Sequence, residues 1–145
     1  MVRLAGQHSY SESFLVPSDF TILQLENNQA NAELVKQLVD RRRDCKLLTA
    51  SNATEGVEMA RAFQPDLILM DLMMPQTSGL DTLTLLREDL ETSHIPVMIV
   101  TSNAFPGVAE KCLAAGAFAC LTKPYKLENL MTMIDAGLKR ATATQ

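Results

Sequence analysis

The chain has 145 residues, the size of one domain with a single core, and its 47% hydrophobic and 21% charged residues are those of a globular protein. A formal net charge of −4 and a pI near 5.1 exclude a generally basic nucleic-acid binder, and no apolar run approaches the roughly 20 residues that span a bilayer. The opening MVRLAGQHSYSESF lacks the apolar centre of a secretory signal, and Cys45, Cys112 and Cys120 have no metal-binding spacing, so they read as buried reduced thiols of a cytoplasmic protein.

Residues 1–19 are polar and Ser-rich apart from Phe14-Leu15-Val16, and read as a flexible tail. A domain is expected over residues 20–140, with 141–145 as a second tail. Thr21-Ile22-Leu23-Gln24-Leu25 is a β-prone run that ends in Glu26-Asn27-Asn28. The spacing of Leu34, Val35 and Leu38 predicts a helix over 32–39, closing on Arg41-Arg42-Arg43. Those arginines read as a solvated helix end favoured by the dipole rather than a phosphate grip. A second strand is expected over 45–50, and a helix from Asn52 or Thr54 to Phe63, stopped by Gln64-Pro65.

Leu67-Ile68-Leu69-Met70 is a short apolar run between breakers, the pattern of a buried parallel strand, and it ends in Asp71. A carboxylate there lies where α/β sheets bind ligands, although Asp also caps turns. Ser78-Gly79 opens a helix with Leu80, Leu83 and Leu86 at intervals of three, followed by a charged exit in which His94 stands alone. Ile95 to Val100 reads as the fourth strand, ending in Thr101-Ser102. Pro106 suits the first turn of a helix that runs to Ala115, with Gly116 as its stop. Phe118 to Thr122 is a fifth strand ending in Lys123-Pro124, and Leu127, Leu130, Ile134 and Leu138 mark a final helix.

Five strands alternating with helices predict an α/β domain: a parallel five-stranded sheet with helices on both faces. Order 2-1-3-4-5 sets the ends of strands one and three side by side at a switch point. Glu26-Asn27, Asp71, Thr101-Ser102 and Lys123 then share one edge. Singly, each has a dull reading as a cap or a surface charge. Together they suit phosphoryl transfer, in which a carboxylate attacks, a cation and a hydroxyl meet the phosphoryl oxygens, and Mg²⁺ takes oxygen ligands.

The segment D-x-x-M-P-x-x-x-G from Asp71 to Gly79 resembles the phosphoacceptor segment of response-regulator receiver domains of two-component signalling. ILQLENNQAN resembles the family's opening strand and acidic pair, VMIVTSNA its Thr/Ser-Ala strand, and CLAAGAFACLTKP its Gly-Ala and Lys-Pro ending. The resemblance covers about residues 20–139 and implies a flavodoxin-like fold. It implies Asp71 as phosphoacceptor, Thr101 as switch hydroxyl, Lys123 as phosphate-pairing lysine, and Glu26, Asn27, Asp71 and the Met73 carbonyl as the Mg²⁺ site.

Two positions depart from the family. Asn27 stands where an aspartate is usual, and one unit of charge missing beside a dication weakens Mg²⁺ by roughly one to a few kcal/mol, tenfold or more in affinity. Cys120 stands where the family has Tyr or Phe, and Phe118, two residues earlier and expected on the same face, is the nearest substitute.

The resemblance implies a phosphoryl-accepting receiver served by a histidine kinase or histidine phosphotransfer protein. It would signal through an output protein that the sequence does not specify, as a monomer or weak dimer without nucleic acid or membrane span. It is not an enzyme beyond self-catalysed phosphorylation and dephosphorylation. The alternative keeps the fold and drops the chemistry, as a phosphorylation-independent pseudo-receiver. An aspartate-nucleophile phosphohydrolase lacks a general acid behind Asp71, where Leu72-Met73-Met74 follow, and a nucleotide-binding domain lacks a Gly-rich loop after strand one.

Overall fold

The computed structural model describes residues 19–143, so the tail read from residues 1–18 lies outside the described residues. The elements run β1 (Phe20–Leu25), α1 (Gln29–Asp40), β2 (Cys45–Ala50), α2 (Ala53–Phe63), β3 (Leu67–Met70), α3 (Gly79–Glu88), β4 (Val97–Thr101), α4 (Val108–Ala114), β5 (Ala119–Thr122) and α5 (Leu127–Ala143). The strands form one parallel sheet in the order β2-β1-β3-β4-β5, the expected order.

Continuous apolar strands serve both faces of this sheet because successive side chains point to opposite sides. Leu23, Leu25, Ile68, Met70, Val97 and Ile99 face α2, α3 and α4, meeting Val57, Ala60, Leu83, Leu86 and Cys112. Ile22, Leu67, Leu69, Met98 and Val100 face α1 and α5, meeting Val35, Leu38, Leu130, Ile134 and Leu138. Each fully buried Leu or Ile contributes about 1.5–3 kcal/mol, so these two layers hold the strand ends in register.

Helix starts follow their caps. Asn28, Asn52 and Ser78 accept from the backbone N–H three residues on, at 2.9, 2.8 and 3.1 Å. Capping by Asn28 starts α1 at Gln29, three residues before the helix expected from its apolar spacing. Gln64 closes α2 in the left-handed region, at φ 48°.

Several expectations are corrected. Pro106 lies outside α4, whose N-cap is Gly107 at φ 89°, a conformation only glycine takes without strain. β4 starts at Val97, because Ile95-Pro96 belongs to the preceding turn. Arg42 is not a merely solvated helix end: it pairs with Asp44 at 3.0 Å and with Asp135 of α5 at 2.5 Å. α5 continues to Ala143 with Ala141 buried, so 141–143 are helix rather than tail. Phe118 does not share the face of Cys120. It precedes β5, where strand alternation does not yet apply, and its ring lies on the α5 side with the Arg140 guanidinium 4.9 Å from its centroid, whereas Cys120 packs toward α4.

Candidate functional site

Asp71 follows the last residue of β3, and its backbone N–H donates to Leu25 O at 3.2 Å, extending the β1–β3 ladder to the sheet edge. The chain then closes on itself. Gly79 N–H donates to Leu72 O at 3.1 Å, and a Cβ at Gly79 would lie 2.5 Å from Leu72 Cα. Only glycine lets α3 begin so close behind the strand exit. Met74 is buried in the core and anchors the same loop.

The Asp71 side chain is held from two sides. Oδ1 accepts from Met73 N–H at 2.9 Å, and Oδ2 accepts from Lys123 Nζ at 3.0 Å. Lys123 also donates to Glu26 Oε1 at 3.1 Å, while Glu26 Oε2 accepts from Asn28 N–H at 3.1 Å. The side chains of Lys123, Glu26 and Asp71 are 16%, 11% and 9% exposed, so these charge-assisted bonds form with little screening by water. Burial alone would lower the Lys123 ammonium, but its bonds to Asp71 and Glu26 outweigh that and hold it above its ordinary value. The lysine therefore stays charged at neutral pH.

Four strand ends supply this edge. β1 delivers Glu26, β3 Asp71, β4 Thr101 and β5 Lys123, whose backbone N–H donates to Thr101 O at 2.8 Å. Thr101 is fully buried, and its hydroxyl accepts from Asn103 N–H at 3.2 Å. That turn-capping bond, not one to Asp71, is its contact here. The cleft beneath the carboxylates is lined by Glu26, Asn31, Asp71, Lys123 and Tyr125 among others, and Asn27 stays exposed outside that lining. Met73 meets Asp71 through its backbone and turns its side chain outward, 63% exposed.

Two participants escaped the sequence reading. Tyr125 lines the cleft two residues after Lys123; burial raises its phenol, Lys123 opposes that shift and Glu26 adds to it. The motif Lys-Pro-Tyr was its signal. Gln24 is buried and donates its amide to Ala32 O and Thr49 Oγ1, both at 3.0 Å, tying β1 to α1 and β2 beneath Glu26. One polar residue inside the run ILQL was the clue.

An open parallel sheet with carboxylates and a lysine at its switch point defines a doubly wound α/β domain with an acidic pocket at the strand ends. The chain belongs to the response regulator receiver domain family, which it matches over residues 22–135. It is 32% identical over 118 residues to the polar-differentiation response regulator DivK of Brucella anthropi, covering 81% of this chain and 95% of that protein. Identity to DivK of Brucella ovis is 33% with the same coverage. Among solved structures, a receiver domain protein of Clostridium thermocellum matches with TM-score 0.78 and 26% identity over 87% of this chain and 99% of that one. The chemotaxis response regulator CheY4 of Vibrio cholerae matches in fold, with TM-score 0.76 and 21% identity over 83% and 100% of the two chains.

Receiver domains generally bind Mg²⁺ at the acidic pocket, and members of the family interact with kinases and output proteins. The donor set here suits that ion. Glu26 and Asp71 give two carboxylates bridged by one ammonium, and Mg²⁺ usually takes one or two carboxylates and completes its shell with water and phosphate oxygens. No cluster of three His, Cys, Asp or Glu exists among the described residues, and none of their helices is long and apolar enough to cross a membrane.

Proposed function

We propose that this receiver, over residues 20–140, takes a phosphoryl group onto Asp71 from a phosphohistidine of a kinase or phosphotransfer protein and signals through altered partner binding. The observation that carries the reading is the Asp71 carboxylate at the β3 exit, bonded at 3.0 Å by a lysine from β5. In the transfer, an Asp71 oxygen forms the new O–P bond as the donor's P–N bond breaks, leaving an acyl phosphate and a neutral imidazole. Lys123 is already in place and passes from the carboxylate to the phosphoryl oxygens, where the charge resides. Glu26 and Asp71, with Asn27 and the Met73 carbonyl as further ligands, would hold Mg²⁺, which would supply positive charge to the same oxygens. The missing aspartate at Asn27 makes that binding weak.

The Thr101 hydroxyl leaves Asn103 N–H and donates to the phosphoryl group, which loosens the turn after β4. Phosphorylation adds a charge of about −1.5 to −2, and the equilibrium moves only by the difference in interaction between the two states. With no aromatic ring at Cys120, and Phe118 committed to the α5 face, the response runs through the loop from Ser102 to Gly107. Incubation with acetyl phosphate and Mg²⁺ tests the reading. A slower species on phosphate-affinity gels is expected, absent in Asp71→Ala; labelling that survives this change would overturn it.

A further inference from the structure

One of the two positions that depart from the family, Cys120, sets a second sulfur against the apolar layer that holds Cys112. Cys112 is fully buried on α4 and Cys120 lies partly buried on β5, packed against the same apolar layer, where each thiol feels the other. The chain between them reverses at Gly116, φ 113°, which brings helix and strand face to face. Cys120 is in register with Ile99 of β4, two residues before Thr101. Cys45, the third thiol, lies in the layer on the other face of the sheet.

We propose that Cys112 and Cys120 form a redox site, a dithiol that hydrogen peroxide converts to an intrachain disulfide fastening α4 to β5. One thiolate attacks the peroxide, an S–O bond forms as the O–O bond breaks, and water leaves. The second thiol attacks the resulting sulfenic sulfur, an S–S bond replaces the S–O bond, and a second water leaves. Two sulfurs are oxidised and the two peroxide oxygens are reduced.

The fold controls when this happens. Burial pushes both thiols up, Cys120 to about 11, so neither is appreciably ionised while α4 is seated. α4 is seven residues long, has no side-chain N-cap, and Cys112 is its one buried residue. So short a helix has little stability of its own and opens at far lower cost than the sheet. Opening admits the oxidant, and the disulfide then fixes the helix's one buried residue to β5. Because the bond anchors the far end of the Ser102–Gly107 loop, it restrains the output movement of the proposed function. Bond formation itself does not rest on that reading and is measured without phosphorylation.

The test uses the full chain carrying Cys45→Ser, treated with hydrogen peroxide and mapped under non-reducing conditions. The expected result is an intact mass lower by two hydrogens and a peptide pair linked through Cys112 and Cys120, both reversed by dithiothreitol. Amides of 108–114 should exchange about tenfold more slowly after oxidation, equivalent to ~1.4 kcal/mol. Adding Cys120→Ser should abolish the link. The proposal is overturned if the folded chain keeps both thiols under conditions that oxidise the urea-unfolded chain, if it gains separate sulfinic acids, or if it links only between molecules.

Discussion

Replacing Lys123 by methionine keeps the length of the side chain and removes the cation shared by Glu26 and Asp71. In the parent, the two carboxylate oxygens lie 3.1 and 3.0 Å from Nζ and so no more than about 6 Å apart. At an effective dielectric of about 20, two unit charges at that separation repel by roughly 3 kcal/mol. The variant also loses two charge-assisted hydrogen bonds, about 1.5–3 kcal/mol each, and regains the cost of desolvating an ammonium. The net expectation is a loss of about 2–4 kcal/mol in urea unfolding at neutral pH. Adding Glu26→Gln removes the repulsion, so the double variant should be more stable than Lys123→Met by about 2–3 kcal/mol. Mg²⁺ should bind Lys123→Met at least about tenfold more tightly than the parent, since no ammonium competes for the carboxylates. A double variant no more stable than the single one, with unchanged Mg²⁺ affinity, would refute the shared-cation reasoning.

Asn27→Asp should raise Mg²⁺ affinity about tenfold and lower the stability of the metal-free protein; titration showing equal or weaker binding contradicts the charge argument. Beryllofluoride with Mg²⁺ should shift the NMR signals of 102–107, and the shift should fall away in Thr101→Ala but persist in Cys120→Ala. Gly79→Ala sets a methyl 2.5 Å from Leu72 Cα and should cost about 1–3 kcal/mol in urea unfolding; a neutral result would show that α3 can retreat from the strand exit. Arg42 holds the Asp44 carboxyl below its ordinary 3.8, so the stability this pair supplies is present above that value and lost as pH falls through the folded one. The stability gap between Arg42→Ala and the parent should therefore close in acid; a gap constant from pH 7 to pH 2 counts against the pairing.

The sheet was legible because its strands are buried on both faces. Runs such as Leu67-Ile68-Leu69-Met70 carry a continuous apolar signal between breakers, and one polar residue at each exit marks the edge. Asp71, Glu26, Thr101 and Lys123 all reach that edge, as expected of strand-end residues. What the sequence hid is decided between distant segments. Nothing local tells that Lys123 bridges Glu26, 97 residues away, or that Arg42 reaches Asp135, 93 residues away. Phe118 was misplaced because alternation holds only inside a strand, and β5 begins one residue later. The start of α1 was missed because Asn27, Asn28 and Asn31 are all plausible caps, and the fold uses Asn28. Arg87 is likewise silent in sequence: burial lowers its guanidinium, which donates to the carbonyls of Thr92 and Ile95 and clasps the turn before β4.

Peptide mapping of the phosphorylated chain tests the central claim most directly. After acetyl phosphate and Mg²⁺, borohydride reduction of the acyl phosphate should convert Asp71 alone to homoserine, in the peptide that follows Leu67-Ile68-Leu69-Met70. Homoserine at another carboxylate, or none at Asp71 under conditions that label a receiver of known activity, would contradict the assignment.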